Sequence, residues 1–212
     1  NSTMAIKNIV LDLGGVLFAI DYKLTQQAFI NLGCENFEAI YSQAQQSDLF
    51  NKFETGQLTE AVFFEELKNL SDLKTISHTD IKQAWNAMLI DLPKENYLLL
   101  KELKPKYRVF LLSNTNQTHI TAFEKLIAKT CTVSEFEGLF EKIYYSCRIR
   151  LRKPDLACFL HVLTHSNLNP AETVFIDDSI QHVEGAKKAG MAAYWLQKGT
   201  STKGLIKEIG LL

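Results

Sequence analysis

Four short polar motifs in this sequence contain the residue types that bind phosphate groups and divalent cations. They are Asp12, Ser113 with Asn114, Lys153 in the segment Arg152-Lys153-Pro154, and the pair Asp177 with Asp178. Three carboxylates at one site repel each other, so they persist only beside a cation or a basic side chain. Mg²⁺ prefers such oxygen ligands, and phosphate oxygens often complete its coordination. If the fold brings the motifs together, they predict a magnesium site for a phosphorylated small molecule.

Each motif taken alone has a simpler explanation. Asp and Asn are common turn residues, and a lysine in a loop is usually a solvated surface charge. Asp12 lies between Leu11 and Leu13 at the end of an apolar segment. Burying an unpaired carboxylate there would cost several kcal/mol. Asp12 therefore either begins an ordinary turn or is held in place for chemistry, and the rest of the chain must decide.

The segments that precede these motifs alternate with helical segments along the chain. Apolar runs predict strands at residues 6–11, 108–112, 142–145, 173–176 and 191–195. Spaced apolar residues predict helices from Pro93 to residue 103 and at 120–128, 155–165, 180–189 and 203–212. This alternation predicts an α/β fold with a Rossmann-like parallel sheet and helices on both faces. Ligands of such sheets bind at the carboxyl ends of the strands, which is where the motifs fall.

One long region interrupts the alternation of strands and helices. From Tyr22 to about Ile90 the pattern is helical, and no segment resembles a strong strand. Helices are predicted from Thr25, between residues 37 and 53, from Thr59, and over 81–89. We therefore predict an all-helical cap at residues 21–91, inserted into a core formed by residues 4–20 and 92–212.

Composition excludes several classes of partner. The chain has 212 residues, 46% of them hydrophobic, and 23 basic against 24 acidic residues give a net charge of −1. Without a basic patch, nucleic acid is not an expected partner, and without an apolar run of spanning length, neither is a membrane. The four cysteines form no Cys-x-x-Cys pair, and no secretion signal is present, so we expect reduced thiols in a cytoplasmic protein. The oligomeric state stays open.

The order of the motifs resembles that of the haloacid dehalogenase-like (HAD) superfamily. An Asp-x-x-Gly-Val segment begins at Asp12, and Ser-Asn, Lys-Pro and an Asp-Asp pair follow in order. The similarity covers nearly the whole chain and implies a Rossmann-like core with a helical cap. The segments 112–116, 175–178 and 53–59 are also similar to the α-D-glucose-1-phosphate phosphatases of bacteria.

The resemblance implies a Mg²⁺-dependent phosphatase for a small phosphorylated metabolite, such as a hexose 1-phosphate. Asp12 would be the nucleophile that forms an aspartyl-phosphate. The implied metal ligands are Asp12, the Gly14 carbonyl, Asp178 and, directly or through water, Asp177. The implied phosphate-binding groups are the Ser113 hydroxyl, the Lys153 ammonium, and the backbone amides of Leu13, Gly14, Gly15 and Asn114.

Gly14 departs from the family's pattern, in which phosphatases usually carry a second aspartate at this position. That residue protonates the leaving oxygen and later activates water, a role worth roughly 10²–10⁴-fold in rate. Three explanations stay open: Asp21 or a cap residue such as Glu54 replaces it, the leaving group is acidic, or catalysis is lost and the protein only binds a ligand or partner. A phosphomutase-type enzyme is another alternative. His182, one helical turn after Asp178, could face either the site or solvent.

Overall fold

The computed structural model describes residues 5–212. Its strands are β1 Asn8–Leu11, β2 Ala19–Ile20, β3 Leu89–Asp91, β4 Arg108–Ser113, β5 Lys142–Tyr145, β6 Thr173–Asp177 and β7 Ala192–Trp195. Five of them form a parallel sheet in the order β5-β4-β1-β6-β7. The predicted start of the core at Met4 lies outside the described residues.

Helices connect these strands and form the cap. They are α1 Tyr22–Asn31, α2 Phe37–Gln46, α3 Leu49–Glu54, α4 Glu60–Ser71, α5 His78–Asn86, α6 Lys94–Leu103, α7 Gln117–Ile127, α8 Val133–Glu137, α9 Ser146–Ile149, α10 Leu156–His165, α11 Ile180–Lys188 and α12 Thr202–Glu208. The short α8 and α9 were not predicted from the sequence. None of the helices in residues 5–212 is long and apolar enough to cross a membrane.

Helices cover both faces of the sheet because its central strands are apolar on both sides. Side chains alternate between the faces of a strand. In β1, Ile9 and Leu11 pack in one apolar cluster with α6, α7 and α12, whereas Val10 packs on the other face with α10 and α11. These three side chains have no solvent exposure. The predicted α/β core with a parallel, doubly covered sheet is therefore confirmed.

Helices α1 to α5 form a separate apolar core of their own. It is rich in aromatic rings: Phe53 stacks on Phe63 with centroids 3.9 Å apart, and Phe50 stacks on Trp85 at 5.7 Å. Between α2 and α3, Asp48 adopts a left-handed backbone with φ of 69°, which divides the predicted helical segment into two helices. The aromatic residues of this region thus pack mainly against one another.

No strong strand was predicted between Tyr22 and Ile90, and the structure has one short strand at the end of this region, β3, which begins at Leu89. Strands β2 and β3 pair as an antiparallel ribbon at the two points where the chain passes between the sheet region and α1 to α5. Accordingly, α5 ends at Asn86 and Leu89 lies in a strand, rather than in the predicted helix. Because these pairing strands are short and far apart in sequence, neither shows a pattern of its own.

Candidate active site

The carboxyl ends of β1, β4 and β6 bring the polar motifs together. Leu11 is in register with Leu111 on one side and with Ile176 on the other. The residues that follow on the three strands therefore end at the same edge of the sheet. They are Asp12 after β1, Ser113 in β4 and Asp177 in β6, and all three are buried. The edge thus places a hydroxyl and two carboxylates under the cap.

Lys153 joins two of these strand ends through its ammonium group. Its Nζ donates to Oδ1 of Asp12 at 2.9 Å, to Oδ2 of Asp177 at 2.8 Å, and to the carbonyl oxygen of Leu112 at 2.8 Å. An ammonium has three hydrogens, so all of them have acceptors within the protein. The side chain has no solvent exposure. Lys153 therefore holds the Asp12 carboxylate at a fixed position.

The charged groups at this edge change one another's pKa values: Lys153 lowers the pKa of Asp12, whereas Asp12 and Asp177 raise the pKa of Lys153. Burial raises the pKa of Asp12 well above its usual range, Lys153 opposes this, and Asp177 and Asp178 raise it further. Burial lowers the pKa of Lys153, but the carboxylates of Asp12 and Asp177 outweigh burial and raise it. Three acids and one lysine leave an excess of negative charge, which a bound cation would neutralise.

Asp177 has hydrogen-bond donors on both carboxylate oxygens. Oδ1 accepts from the amide of Ser179 at 2.8 Å, and Oδ2 accepts from Nδ1 of His182 at 3.0 Å as well as from Lys153. Burial raises the pKa of Asp177, yet Lys153 and His182 outweigh burial and hold it well below its usual range. His182 thus faces the site, although 20% of its side chain stays exposed to solvent. From the sequence, its spacing of one helical turn after Asp178 left both orientations open.

Asp178 completes a group of three acids that fits a hard cation. One oxygen from each of Asp12, Asp177 and Asp178 lies within 4.8 Å of the others. Mg²⁺ binds oxygen ligands at 2.0–2.1 Å in octahedral geometry, which places ligand oxygens at about this separation or closer. Gly15, with φ of +80°, leaves room for this group, because a Cβ there would lie 2.1 Å from Oδ2 of Asp178. The donor set therefore fits a magnesium ion.

Asn114 fixes the backbone that carries Lys153. Its Nδ2 donates to the carbonyl of Lys153, and its Oδ1 accepts from the Lys153 amide, both at 2.9 Å. Only the backbone amide of Asn114 was predicted to matter, so this side-chain role is an addition from the structure. The amide side chain links the end of β4 to the Lys153 loop and thereby orients the lysine toward Asp12.

A cavity of about 160 Å³ lies between this edge and the cap. The core contributes Leu13, Gly14, Ser113, Asn114 and His119, and the cap contributes Tyr41, Glu54 and Trp85. The predicted phosphate-binding residues Leu13, Gly14, Ser113 and Asn114 thus share one cavity wall. The prediction for Gly15 is wrong: Gly15 lies beside Asp178, does not line this cavity, and its amide donates to the carbonyl oxygen of Phe18 at 2.9 Å.

The cap is attached to the core by polar contacts along α7. Nε2 of His119 donates to the carbonyl of Trp85 at 3.1 Å, and the two rings stack with centroids 4.9 Å apart. The hydroxyl of Thr118 donates to Glu60 at 2.7 Å. Burial lowers the pKa of His119 to about 4, although its bond to Trp85 acts in the opposite direction. The imidazole is therefore neutral near pH 7.

The fold and site define a hydrolase with a buried aspartate beneath a helical cap. The family model for haloacid dehalogenase-like hydrolases matches residues 6–190. With this match, the chain belongs to the haloacid dehalogenase-like hydrolases, as the motif order predicted.

Relatives of known name or structure extend this assignment. D-ribitol-5-phosphate phosphatase of Bacteroides thetaiotaomicron is 30% identical over 196 residues, covering 92% of this chain and 93% of that protein. A HAD family enzyme of the same species, solved with magnesium and inorganic phosphate, is 33% identical with a TM-score of 0.85 and covers 95% of this chain and 99% of that one. A HAD-like hydrolase from Porphyromonas gingivalis is 29% identical, with a TM-score of 0.84 over 97% of this chain and 98% of that one.

Proposed function

We propose that this hydrolase is a Mg²⁺-dependent phosphatase for a small sugar or polyol phosphate. The observation that carries the proposal is the buried carboxylate of Asp12, held by Lys153 beside Asp177 and Asp178 and next to the residues Leu13 and Gly14 that line the capped cavity. A related protein of this fold was solved with magnesium and inorganic phosphate, which supports the same ligands here.

In this proposal Asp12 is the nucleophile. One of its oxygens forms a bond to phosphorus while the bond to the leaving oxygen breaks, giving an aspartyl-phosphate that water then hydrolyses. Lys153 favours the ionised carboxylate, against the effect of burial, and restricts its rotation, since it bonds Oδ1 at 2.9 Å. This orientation places the other oxygen for attack.

The phosphate group would be bound by several polar groups near Asp12. They are the Ser113 hydroxyl, the Lys153 ammonium, and the backbone amides of Leu13, Gly14 and Asn114. The Gly15 amide is already used, because it donates to the carbonyl oxygen of Phe18 at 2.9 Å. Such donors stabilise the negative charge that develops on phosphate oxygens. Because all three hydrogens of Lys153 already have protein acceptors, phosphate would compete with one of them.

Magnesium, when bound, supplies positive charge between the Asp12 carboxylate and the phosphate. Asp12, the Gly14 carbonyl and Asp178 would be its direct ligands from the protein. Asp177 accepts hydrogen bonds from Lys153, Ser179 and His182, which favours contact with the ion through water.

The cavity favours a small substrate. Its volume of about 160 Å³ is similar to the ~150 Å³ cavity that takes up a benzene molecule in an engineered protein. Hydroxyl groups of a sugar or polyol have polar partners there in Tyr41, Glu54 and His119. The related D-ribitol-5-phosphate phosphatase supports a polyol phosphate, whereas the motif resemblance suggested a hexose 1-phosphate.

Phosphate release tests this function. Purified protein is incubated with Mg²⁺ and p-nitrophenyl phosphate, D-ribitol 5-phosphate or α-D-glucose 1-phosphate. We expect release that EDTA abolishes and that the Asp12→Asn variant lacks. If no substrate releases phosphate above the Asp12→Asn background, the enzyme proposal is refuted in favour of a ligand-binding protein. Phosphate transfer to a second sugar without net release would instead identify a phosphomutase.

A further inference from the structure

Cleavage of an alkyl phosphate ester at this site needs a proton donor other than the residue two positions after Asp12, because an alkoxide is a poor leaving group. That residue is Gly14, which has no side chain to donate a proton. Asp21 is not available either, because it is exposed and its Oδ1 caps α1 by accepting from the amide of Lys23 at 3.0 Å. Asp21 also does not line the cavity beside Gly14.

Glu54 of the cap does line that cavity, together with Gly14 and Ser113. It is the last residue of α3, and the turn that follows packs closely against Cys147 of the core. A Cβ on Gly56 would lie 2.4 Å from the carbonyl oxygen of Cys147, so only glycine allows this approach at its φ of +72°. The contact fixes the end of α3 over the carboxyl edge of the sheet.

Arg152 forms an ion pair with Glu54 from the core side. Its Nε lies 3.0 Å from Oε1 of Glu54, and the two side chains are 32% and 22% exposed. The neighbouring residue in sequence is Lys153, which holds Asp12. One short loop thus positions both the Asp12 carboxylate and the cap carboxylate.

The surroundings of Glu54 favour proton exchange. Burial raises its pKa, and the cations of Arg152 and Lys153 act in the opposite direction. The other titratable groups that interact with it are Tyr41 of α2 and Cys147 of α9. Burial raises the pKa of Tyr41 to about 12 and raises that of Cys147, so both are neutral near pH 7. Glu54 is therefore the acid at this wall that can change its protonation state.

We propose that Glu54 is the general acid and base of this enzyme, a role that rests on the proposed phosphatase function. In the first step Asp12 attacks phosphorus, the bond from phosphorus to the leaving oxygen breaks, and the proton of the Glu54 carboxyl passes to that oxygen. In the second step Glu54 takes a proton from water as the water oxygen bonds to phosphorus. The bond to Asp12 then breaks, its electron pair returns to the Asp12 carboxylate, and Glu54 is again protonated.

Leaving groups of different acidity test this role in the Mg²⁺-loaded enzyme. In Glu54→Gln, turnover of an alkyl phosphate such as D-ribitol 5-phosphate should fall by about 10²–10⁴-fold. The first step with p-nitrophenyl phosphate needs no proton, so the variant should release one nitrophenol per active site in a rapid burst. Slow turnover should follow, because water attack on the aspartyl-phosphate lacks its base.

Two variants separate this role from a structural one. Glu65→Gln removes a cap glutamate that pairs with His78 outside the cavity, and it should behave as wild type. Glu54→Asp keeps a carboxyl group and should retain at least tenfold more alkyl phosphate turnover than Glu54→Gln, without a burst. Equal losses on both substrates without a burst, or equal losses in Glu54→Asp and Glu54→Gln, would overturn the proposal. A wild-type protein that releases no phosphate would refute the phosphatase function itself.

Discussion

The ammonium of Lys153 lies 2.9 Å from Oδ1 of Asp12, and the lysine side chain has no exposure to solvent. The same Nζ lies 2.8 Å from Oδ2 of Asp177, so one buried cation serves two buried acids. Transfer of these charges from water is costly, and the pairing offsets that cost only while every partner is present. The stability of the folded protein and the position of the Asp12 carboxylate consequently both depend on the Lys153 side chain.

Replacing Lys153 with methionine should destabilise the protein strongly. The substitution removes the cation and leaves Asp12 and Asp177 without their shared partner. Removing one member of a buried ion pair typically costs about 3–5 kcal/mol. Urea unfolding of the metal-free protein at pH 7 measures the difference. As a control, Lys187→Met removes a half-exposed lysine from a surface pair with Glu184, and it should change the free energy of unfolding by at most about 0.5 kcal/mol. Equal effects of both substitutions would contradict this account.

Magnesium should raise the thermal stability of the protein through Asp178. A ligand that binds only the folded state stabilises it by about 2.7 kcal/mol at one hundred times its dissociation constant. Mg²⁺ should also relieve the repulsion among three acids that lie within 4.8 Å of one another. We expect a higher Tm in millimolar Mg²⁺ and no such rise in Asp178→Asn. Asp72→Asn, a change at an exposed cap residue, should retain the full rise. A normal Mg²⁺ shift in Asp178→Asn would contradict the assigned ligand set.

The sequence predicts the core of this site well because its geometry follows from strand order. Asp12, Ser113 and Asp177 each end an apolar strand, and parallel strands align their carboxyl ends. Asp178 lies next to such an end. These placements require no knowledge of side-chain packing. The helical cap is also predicted from its pattern, although its ribbon β2-β3 is not.

The contacts that orient the site cannot be predicted in this way. Glu54 and Arg152 are far apart in sequence, and their pairing depends on how the cap packs on the core. Tertiary packing likewise determines the three acceptors around Lys153 and the hydrogen bonds between the Asn114 side chain and the Lys153 backbone. For that reason the sequence left Asp21 and Glu54 as equal candidates for the missing acid, whereas the structure separates them.

His119 should make the stability of the protein depend on pH in the mildly acidic range. In the unfolded chain a histidine takes up a proton near pH 6.5. In the folded protein burial lowers the pKa of His119 to about 4. Between these values the unfolded state binds more protons, so stability should fall as the pH falls. The loss from this residue between pH 7.5 and 5.0 should be about 2 kcal/mol.

The His119→Gln variant isolates that contribution, since the glutamine amide can still donate to the Trp85 carbonyl. Urea unfolding of both proteins at pH 7.5 and 5.0 gives the comparison. Wild type should lose about 2 kcal/mol more than His119→Gln on acidification. Identical losses in the two proteins would show that the imidazole takes up its proton equally well in the folded state.

Arg152 should set the pH range of phosphate ester cleavage through its ion pair with Glu54. Burial raises the pKa of Glu54, and the Arg152 cation opposes that effect. In Arg152→Gln the opposing charge is lost, so the pKa of Glu54 should rise. A proton donor with a higher pKa stays protonated to higher pH, so the alkaline limb of kcat/KM for D-ribitol 5-phosphate should move upward by roughly one pH unit.

Arg148→Gln serves as the matched control, because Arg148 is exposed and lies over the ring of Tyr145 instead. The alkaline limb should stay in place in that control. An unmoved limb in Arg152→Gln, or the same movement in both variants, would show that the ion pair does not govern the proton donor.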